Sequence, residues 1–392
     1  MKNLFCLRRN YKPQNSLRPF VFLILFILVA VFVAGCDKET PLSLDQQTEA
    51  QQNLAKASAA NALQAVAAPV VTTVTDLGVV AHPPSVLVRD GGSTTLVAGK
   101  VLWLFGDTIF KPGYVAVDGA KYRSNTAALS IPATPLAVSE PLDANGTPYQ
   151  AIPFTVAEQA YNDSTGKTDD RIALWPGGMV PEKNGKGLAF FLKIQIKPGI
   201  LNYQPAGVGT AHFAAGKTTA QRDPNLLFSA TEPQFSRAFL YNGMVYLYGK
   251  LPTGSFLPYG VARAPQKKAT NRSAYQFWNG SAWVTDVNQA VAVMYGIPGS
   301  VTVSYNAYLK TFIAIHSQAF SDKVVFRTAA SPEGPWSSAT DLFTGMPSSS
   351  NNYAGQEHPE LAKNNGKIIY VSYFNPQGFL QGELRLVEVT FQ

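Results

Sequence analysis

The chain has 392 residues, 46% of them hydrophobic and only 15% charged, which excludes a disordered body and leaves room for one large domain or two ordinary ones. The formal charge of +7 suggests a basic protein, but five of the 32 Lys and Arg (Lys2, Arg8, Arg9, Lys12, Arg18) sit in the first 35 residues with no acid among them. The remaining 27 basic and 25 acidic side chains leave about +2, too little to argue for a nucleic-acid partner.

Residues 1–35 read as an address. After the basic start, residues 20–34 are an unbroken apolar run, short for a membrane span but right for the core of a signal peptide. The run ends in "VAGC", which resembles a bacterial lipobox. Cys36 would then be acylated and become the new N-terminus, anchoring the chain to a membrane in the cell envelope. The alternative, an uncleaved anchor, also places the body outside the cytoplasm. Cys6 leaves with the leader, so the mature fold has neither a disulfide nor a cysteine metal site. Residues 36–69, rich in Ala and Gln with few large apolar side chains, read as a polar tether.

Residues 70–392 change texture. Aromatic residues make up 11% of the chain, beside 31 Gly and 27 Pro, which suits strands and turns. Strongly apolar strands begin near Val101, Leu188, Met244, Thr311 and Ile368. Four follow a glycine turn, in "VAGKVLWLFG", "KNGKGLAFFL", "YNGMVYLYG" and "NNGKIIYVSYF". Five such units predict an all-β fold, a five-bladed β-propeller, with a pair of β-sandwiches as the rival. The last unit lacks an outer strand, and "VVTTVTDLGVV", residues 70–80, has no partner of its own. This N-terminal strand is expected to close the ring by completing the last blade. No amphipathic helix of useful length is expected in the body.

A propeller gathers polar side chains of its inner strands around one funnel, so those positions are the candidates for chemistry. Asp90 and Asp107 each adjoin glycine, in "RDGG" and "FGDT". They read either as turn residues or as two carboxylates facing a ligand that the glycines let approach. Arg89 could pair with an acid. Trp175, at the opening of the second unit, could stack on a sugar or plug the core. Glu232, flanked by apolar residues, could be a carboxyl of raised pKa suited to a general acid, or simply a loop residue. Tyr259 and Arg263 are further funnel candidates. Gln356, Glu357, His358 and Glu360 form the densest polar cluster, with too few ligands for a zinc site. No cofactor is indicated, nor a cation in the central channel. Phosphate-loop, nucleophile-elbow and dinucleotide motifs are absent from the sequence.

The segments "RDGGSTTLVAGKVLWLFGDT", "WPGGMV", "TEPQFSRAFLYNGMVYLYG", "FWNGSAWV", "RTAASPEGPWS" and "EHPELAKNNGKIIYVSYF" together resemble the secreted propeller family known as domain of unknown function 4185. That family includes bacterial endo-D-arabinanases. The resemblance spans about residues 77–391 and implies a five-bladed propeller that cleaves furanosidic polysaccharide. By motif position it makes Asp90 and Asp107 the strongest catalytic pair, Glu232 the next candidate, and Glu357 and His358 binding or assisting residues. The lipoprotein leader and long tether depart from the family's usual setting, so the polymer is open. The expectation is a monomeric, membrane-tethered glycoside hydrolase with a carbohydrate polymer as partner. The alternative is a propeller that binds glycan or protein without cleaving it.

Overall fold

The computed structural model describes residues 69–166, 169–199, 202–252, 257–378 and 380–392. The leader, Cys36 and nearly all of the tether lie outside the described residues.

The chain is a five-bladed β-propeller. Blade one is β2 (Val86–Val97), β3 (Lys100–Phe110), β4 (Tyr122–Arg123) and β5 (Thr126–Ser130). Blade two is β6 (Arg171–Glu182), β7 (Lys186–Ile196), β8 (Tyr203–Phe213) and β9 (Ala220–Arg222). Blade three has five strands, β10 (Gln234–Tyr241), β11 (Met244–Lys250), β12 (Tyr259–Pro265), β13 (Gln276–Trp278) and β14 (Trp283–Val284). Blade four is β15 (Thr302–Asn306), β16 (Thr311–Ser317), β17 (Lys323–Ala329) and β18 (Thr340–Thr344). Blade five is β19 (Tyr353–Glu357), β20 (Ile368–Gly378) and β21 (Gln381–Phe391), and its outer strand is β1 (Val71–Val79), paired antiparallel to β21. The first strand of the domain therefore closes the ring and covers the edge that β21 would otherwise leave open.

The five apolar runs seen in the sequence are the second strands of the five blades. Each is packed against a neighbouring sheet on both faces, so it reads as a continuous hydrophobic run rather than an alternating one; every residue of β16 is buried. The turns before four of them need left-handed backbone. Asn184-Gly185 and Asn242-Gly243 have φ of 59° and 68°, and 48° and 74°, which match the twist of a tight hairpin.

The core lies between blades. Leu104 and Leu102 of blade one meet Phe191 and Leu174 of blade two. Phe190 and Leu188 meet Phe235 and Leu247, and Tyr248 and Val261 meet Phe312 and Val303. Ile313 and Phe326 meet Val371 and Val389. Trp103 and Phe105 meet Phe374 and Leu386, which completes the circle.

One expectation is corrected. A helix, α1 (Val156–Thr165), precedes β6. Thr155 caps it and Glu158 answers with a reciprocal bond to the Thr155 backbone, a T-x-x-E capping box visible in the sequence. The buried Glu158 also binds Arg222 and Lys193, and these bonds outweigh burial and pull its carboxyl down to about 2. The helix packs by this polar anchor rather than by an apolar stripe, which is why hydrophobic periodicity did not reveal it.

Candidate active site

A funnel of about 380 Å³ opens on the propeller axis, lined by residues of all five blades. Asp90, Asp107, Trp175, Glu232, Tyr259 and Gln356 line it. A second cavity of about 480 Å³ lies along the inner strands beyond Ser93 and Gln356, which border both. Ser93 Oγ lies 2.5 Å from Gly177 O and 3.0 Å from Gln356 Oε1, its one proton shared between them, and Arg237 also donates to Gly177 O. These bonds join blades five, one, two and three across the funnel floor.

Asp90 and Asp107 come together through an irregular ladder. Gly91-Gly92 is not a turn: β2 runs through it, and Asp107 lies within β3 rather than at its end. Between the pairs Arg89↔Thr108 and Gly91↔Phe105, β2 supplies only Asp90 while β3 supplies Gly106 and Asp107. This bulge sets both carboxylates at the funnel instead of on opposite ends of antiparallel strands. Gly106 is required by the carboxylate itself, since a Cβ there would lie 2.4 Å from Asp90 Oδ1.

The two carboxyls have contrasting surroundings. Burial and the neighbouring charge of Asp107 push Asp90 up to about 7, against the Tyr353 hydroxyl, which donates to Asp90 Oδ2 at 3.0 Å, and the backbone N–H of Asp107. Asp107 Oδ2 instead faces the guanidinium of Arg171 at 3.1 Å, while its buried Oδ1 has no hydrogen-bond partner among the described residues. One carboxyl is thus disposed to hold a proton near neutrality, and the other has a counter-charge and one uncommitted oxygen.

The other candidates separate. Trp175 lies inside β6, not at a strand entrance, and meets Tyr203 edge-on at 5.7 Å on the funnel wall. Glu232 does not have the raised carboxyl expected of it. Burial acts in that direction, but the Ser229 backbone N–H and Arg272, 2.6 Å away, outweigh it and hold the carboxyl below its ordinary value. Tyr259 donates its hydroxyl to Gly299 O on the wall. Arg89 pairs with Glu140 at 2.7 Å and lies over Phe105, so it serves the outer side of blade one and not the aspartates. Arg263 stacks on Trp283 between outer strands, away from the funnel.

His358 also misses the funnel. It joins Thr94 at 2.6 Å to Ser372 at 2.8 Å, with Trp103 against its ring, and burial holds it down at about 3, hence neutral. Glu357 faces the second cavity, accepting from Ser304 Oγ at 2.7 Å. Burial and Glu360 push Glu357 up to about 7, and burial does the same to Glu360. Asp90, Glu357 and Glu360 therefore bind protons in the folded state that the unfolded chain releases near pH 4. Their contribution to stability is complete below that pH and is lost as pH rises through about 7. The midpoint of thermal unfolding should fall between pH 5 and pH 8, and Glu360→Gln should flatten that slope; an unfolding midpoint that rises over this range refutes the assignment.

The residues that sequence reasoning passed over are Tyr353, Arg171 and Arg237. All lie on the innermost strand of their blades; Tyr353 and Arg237 line the funnel, so the rule that polar inner-strand residues reach it would have found those two, whereas Arg171 reaches Asp107 from behind. Among the described residues no cluster of three or more His, Cys, Asp or Glu side chains is placed to hold a metal ion.

Residues 210–376 match the family model described as Domain of unknown function (DUF4185). This is the family to which the sequence motifs pointed. No curated protein matches. Among solved structures, a protein of Bacteroides ovatus ATCC 8483, provisionally named a hydrolase, is similar at 16% identity over 78% of this chain and 87% of its own, with a TM-score of 0.58. A family 117 glycoside hydrolase of Zobellia galactanivorans gives 11% identity, 82% and 91% coverage, and a TM-score of 0.49. An alpha-L-arabinofuranosidase of Podospora anserina gives 11%, 83% and 98%, and 0.46. At 16% identity the likeness to the Bacteroides protein is one of fold.

Proposed function

We propose that the protein is a glycoside hydrolase of the cell envelope, tethered by lipid on Cys36, that cleaves a furanosidic, arabinan-like polysaccharide. The observation that carries this reading is the pair Asp90 and Asp107 at one funnel in opposite electrostatic settings, since glycosidases need one carboxyl as acid and one as base or nucleophile. Asp90, protonated near neutral pH, donates its proton to the departing glycosidic oxygen. Asp107, with Arg171 behind it and Oδ1 uncommitted, meets the developing positive charge at the anomeric carbon and either activates water or attacks directly. Trp175 and Tyr203 offer an apolar wall for a sugar ring, and Tyr353 orients Asp90. The furanose preference rests on the sequence motifs.

The test is to incubate the detergent-solubilised full chain with arabinan, arabinogalactan and envelope glycans and to measure released reducing ends. Oligosaccharides released from an arabinofuranose-containing polymer are expected. Release from none of them overturns the hydrolase reading and favours a propeller that only binds.

A further inference from the structure

One cation lining the funnel, Arg237, has no carboxylate against it among the described residues. Of the funnel's three carboxyls, Asp107 faces Arg171, Glu232 faces Arg272 and Asp90 is disposed to be neutral below about pH 7. Neither Arg171 nor Arg272 lines the cavity, so these acids are neutralised from behind. The cations that do line it are Arg237 and Lys250, both on blade three.

Arg237 is the unusual one. One nitrogen of its guanidinium donates to the carbonyls of Pro176 and Gly177, each at 3.1 Å, and no carboxylate among the described residues lies within ion-pair distance of it. A guanidinium withdrawn from water normally finds a carboxylate, because desolvating an uncompensated charge is costly. Two backbone carbonyls fix its orientation and leave the rest of its planar fork to the cavity. Burial lowers Arg237 from its ordinary value, as expected of a guanidinium in a wall with no carboxylate against it, and burial also lowers Lys250, which lines the same cavity.

We infer that the blade-three wall, through Arg237 with Lys250, binds an anionic substituent of the glycan, a uronate carboxylate or a sulfate or phosphate ester, so that the substrate is an acidic polymer. A planar fork held in place suits bidentate binding of such a group, and Lys250 adds a second charge. The inference rests on the hydrolase reading for the word substrate, but it predicts binding whether or not cleavage occurs.

Binding is measured by calorimetry on the full chain carrying Asp107→Asn, the variant expected to turn over its ligand most slowly, with three probes: a galacturonic acid trimer, a sulfated galactose oligosaccharide and arabinotriose. At least one acidic probe should bind about tenfold or more tighter than arabinotriose, and the preferred one identifies the substituent. Arg237→Met should remove that preference, read as a fall in the ratio of acidic to neutral probe affinity, and Arg237→Lys should restore part of the ratio. A merely structural Arg237 would lower the unfolding midpoint without changing the ratio between probes. If Arg237→Met does not fold, Lys250→Gln should still narrow the ratio. Equal affinity for all three probes, or arabinotriose binding best, overturns the inference and leaves the hydrolase reading standing. Binding of none overturns both.

Discussion

Asp107→Asn should lower turnover of a cleavable glycan by about three orders of magnitude, and Asp90→Asn should do much the same, because each removes one half of the proposed two-carboxyl mechanism. Their stabilities should part. Asp107→Asn takes a carboxylate counter-charge from Arg171, whose side chain is 4% exposed, and should lower the unfolding midpoint. Asp90→Asn keeps an acceptor for Tyr353 and relieves the repulsion with Asp107, so at pH 8 its unfolding midpoint should equal or exceed that of the unmodified chain. The double variant should be scarcely less active than either single one, since the two act in the same step. On the proposed function, the unmodified protein should lose kcat/KM as pH rises past about 7, where Asp90 gives up its proton. Tyr353→Phe removes a bond that favours the ionised form of Asp90, so it should move that alkaline limb to higher pH. Steady-state rates with paired unfolding midpoints check all of this. An active Asp107→Asn, or a limb that moves to lower pH in Tyr353→Phe, defeats the mechanism.

Much of the fold was legible because the strand that defines each blade is buried on both faces and so announces itself as an apolar run after a glycine turn. The closing strand was legible from arithmetic: residues 70–80 had no partner and the last unit had no outer strand, and β1 pairs with β21. What was not legible depended on contacts between blades. Arg89 stands beside Asp90 in sequence, yet alternation sends it to Glu140 on the other face. His358 and Glu357 are adjacent, yet one ties β2 to β20 and the other faces the second cavity. Glu232 has apolar neighbours in sequence but Arg272 in space, 40 residues away, and that partner reverses its expected ionisation. The bulge that joins Asp90 to Asp107 is a register effect. Strand propensity does not report it, although the glycines flanking both aspartates are its trace.

Gly178→Ala should destabilise the protein by about 3 kcal/mol or more, with damage that reaches the funnel. Gly178 has an ordinary backbone conformation, so space is what demands glycine. A Cβ there would lie 2.2 Å from the backbone nitrogen of Ala238 in β10, and one at Gly177 would lie 2.4 Å from Ser236 O. Neither obstacle is a side chain that can swing aside, so β6 must move away from β10. That movement separates Arg237 from Gly177 O and Gly177 O from Ser93, the bonds that hold the funnel floor together. It also opens the core between blades two and three, where Phe190 meets Phe235. Gly146→Ala is the comparison: nothing lies within 4 Å of its Cβ, and only its φ of 74° opposes the change, at about 1 kcal/mol. Denaturant unfolding of both variants should therefore show a large loss for Gly178→Ala and a small one for Gly146→Ala. Gly178→Ala should also bind glycan more weakly under conditions where it remains folded. Equal losses in the two variants would mean that blades two and three pack less closely than the close approach of β6 to β10 requires.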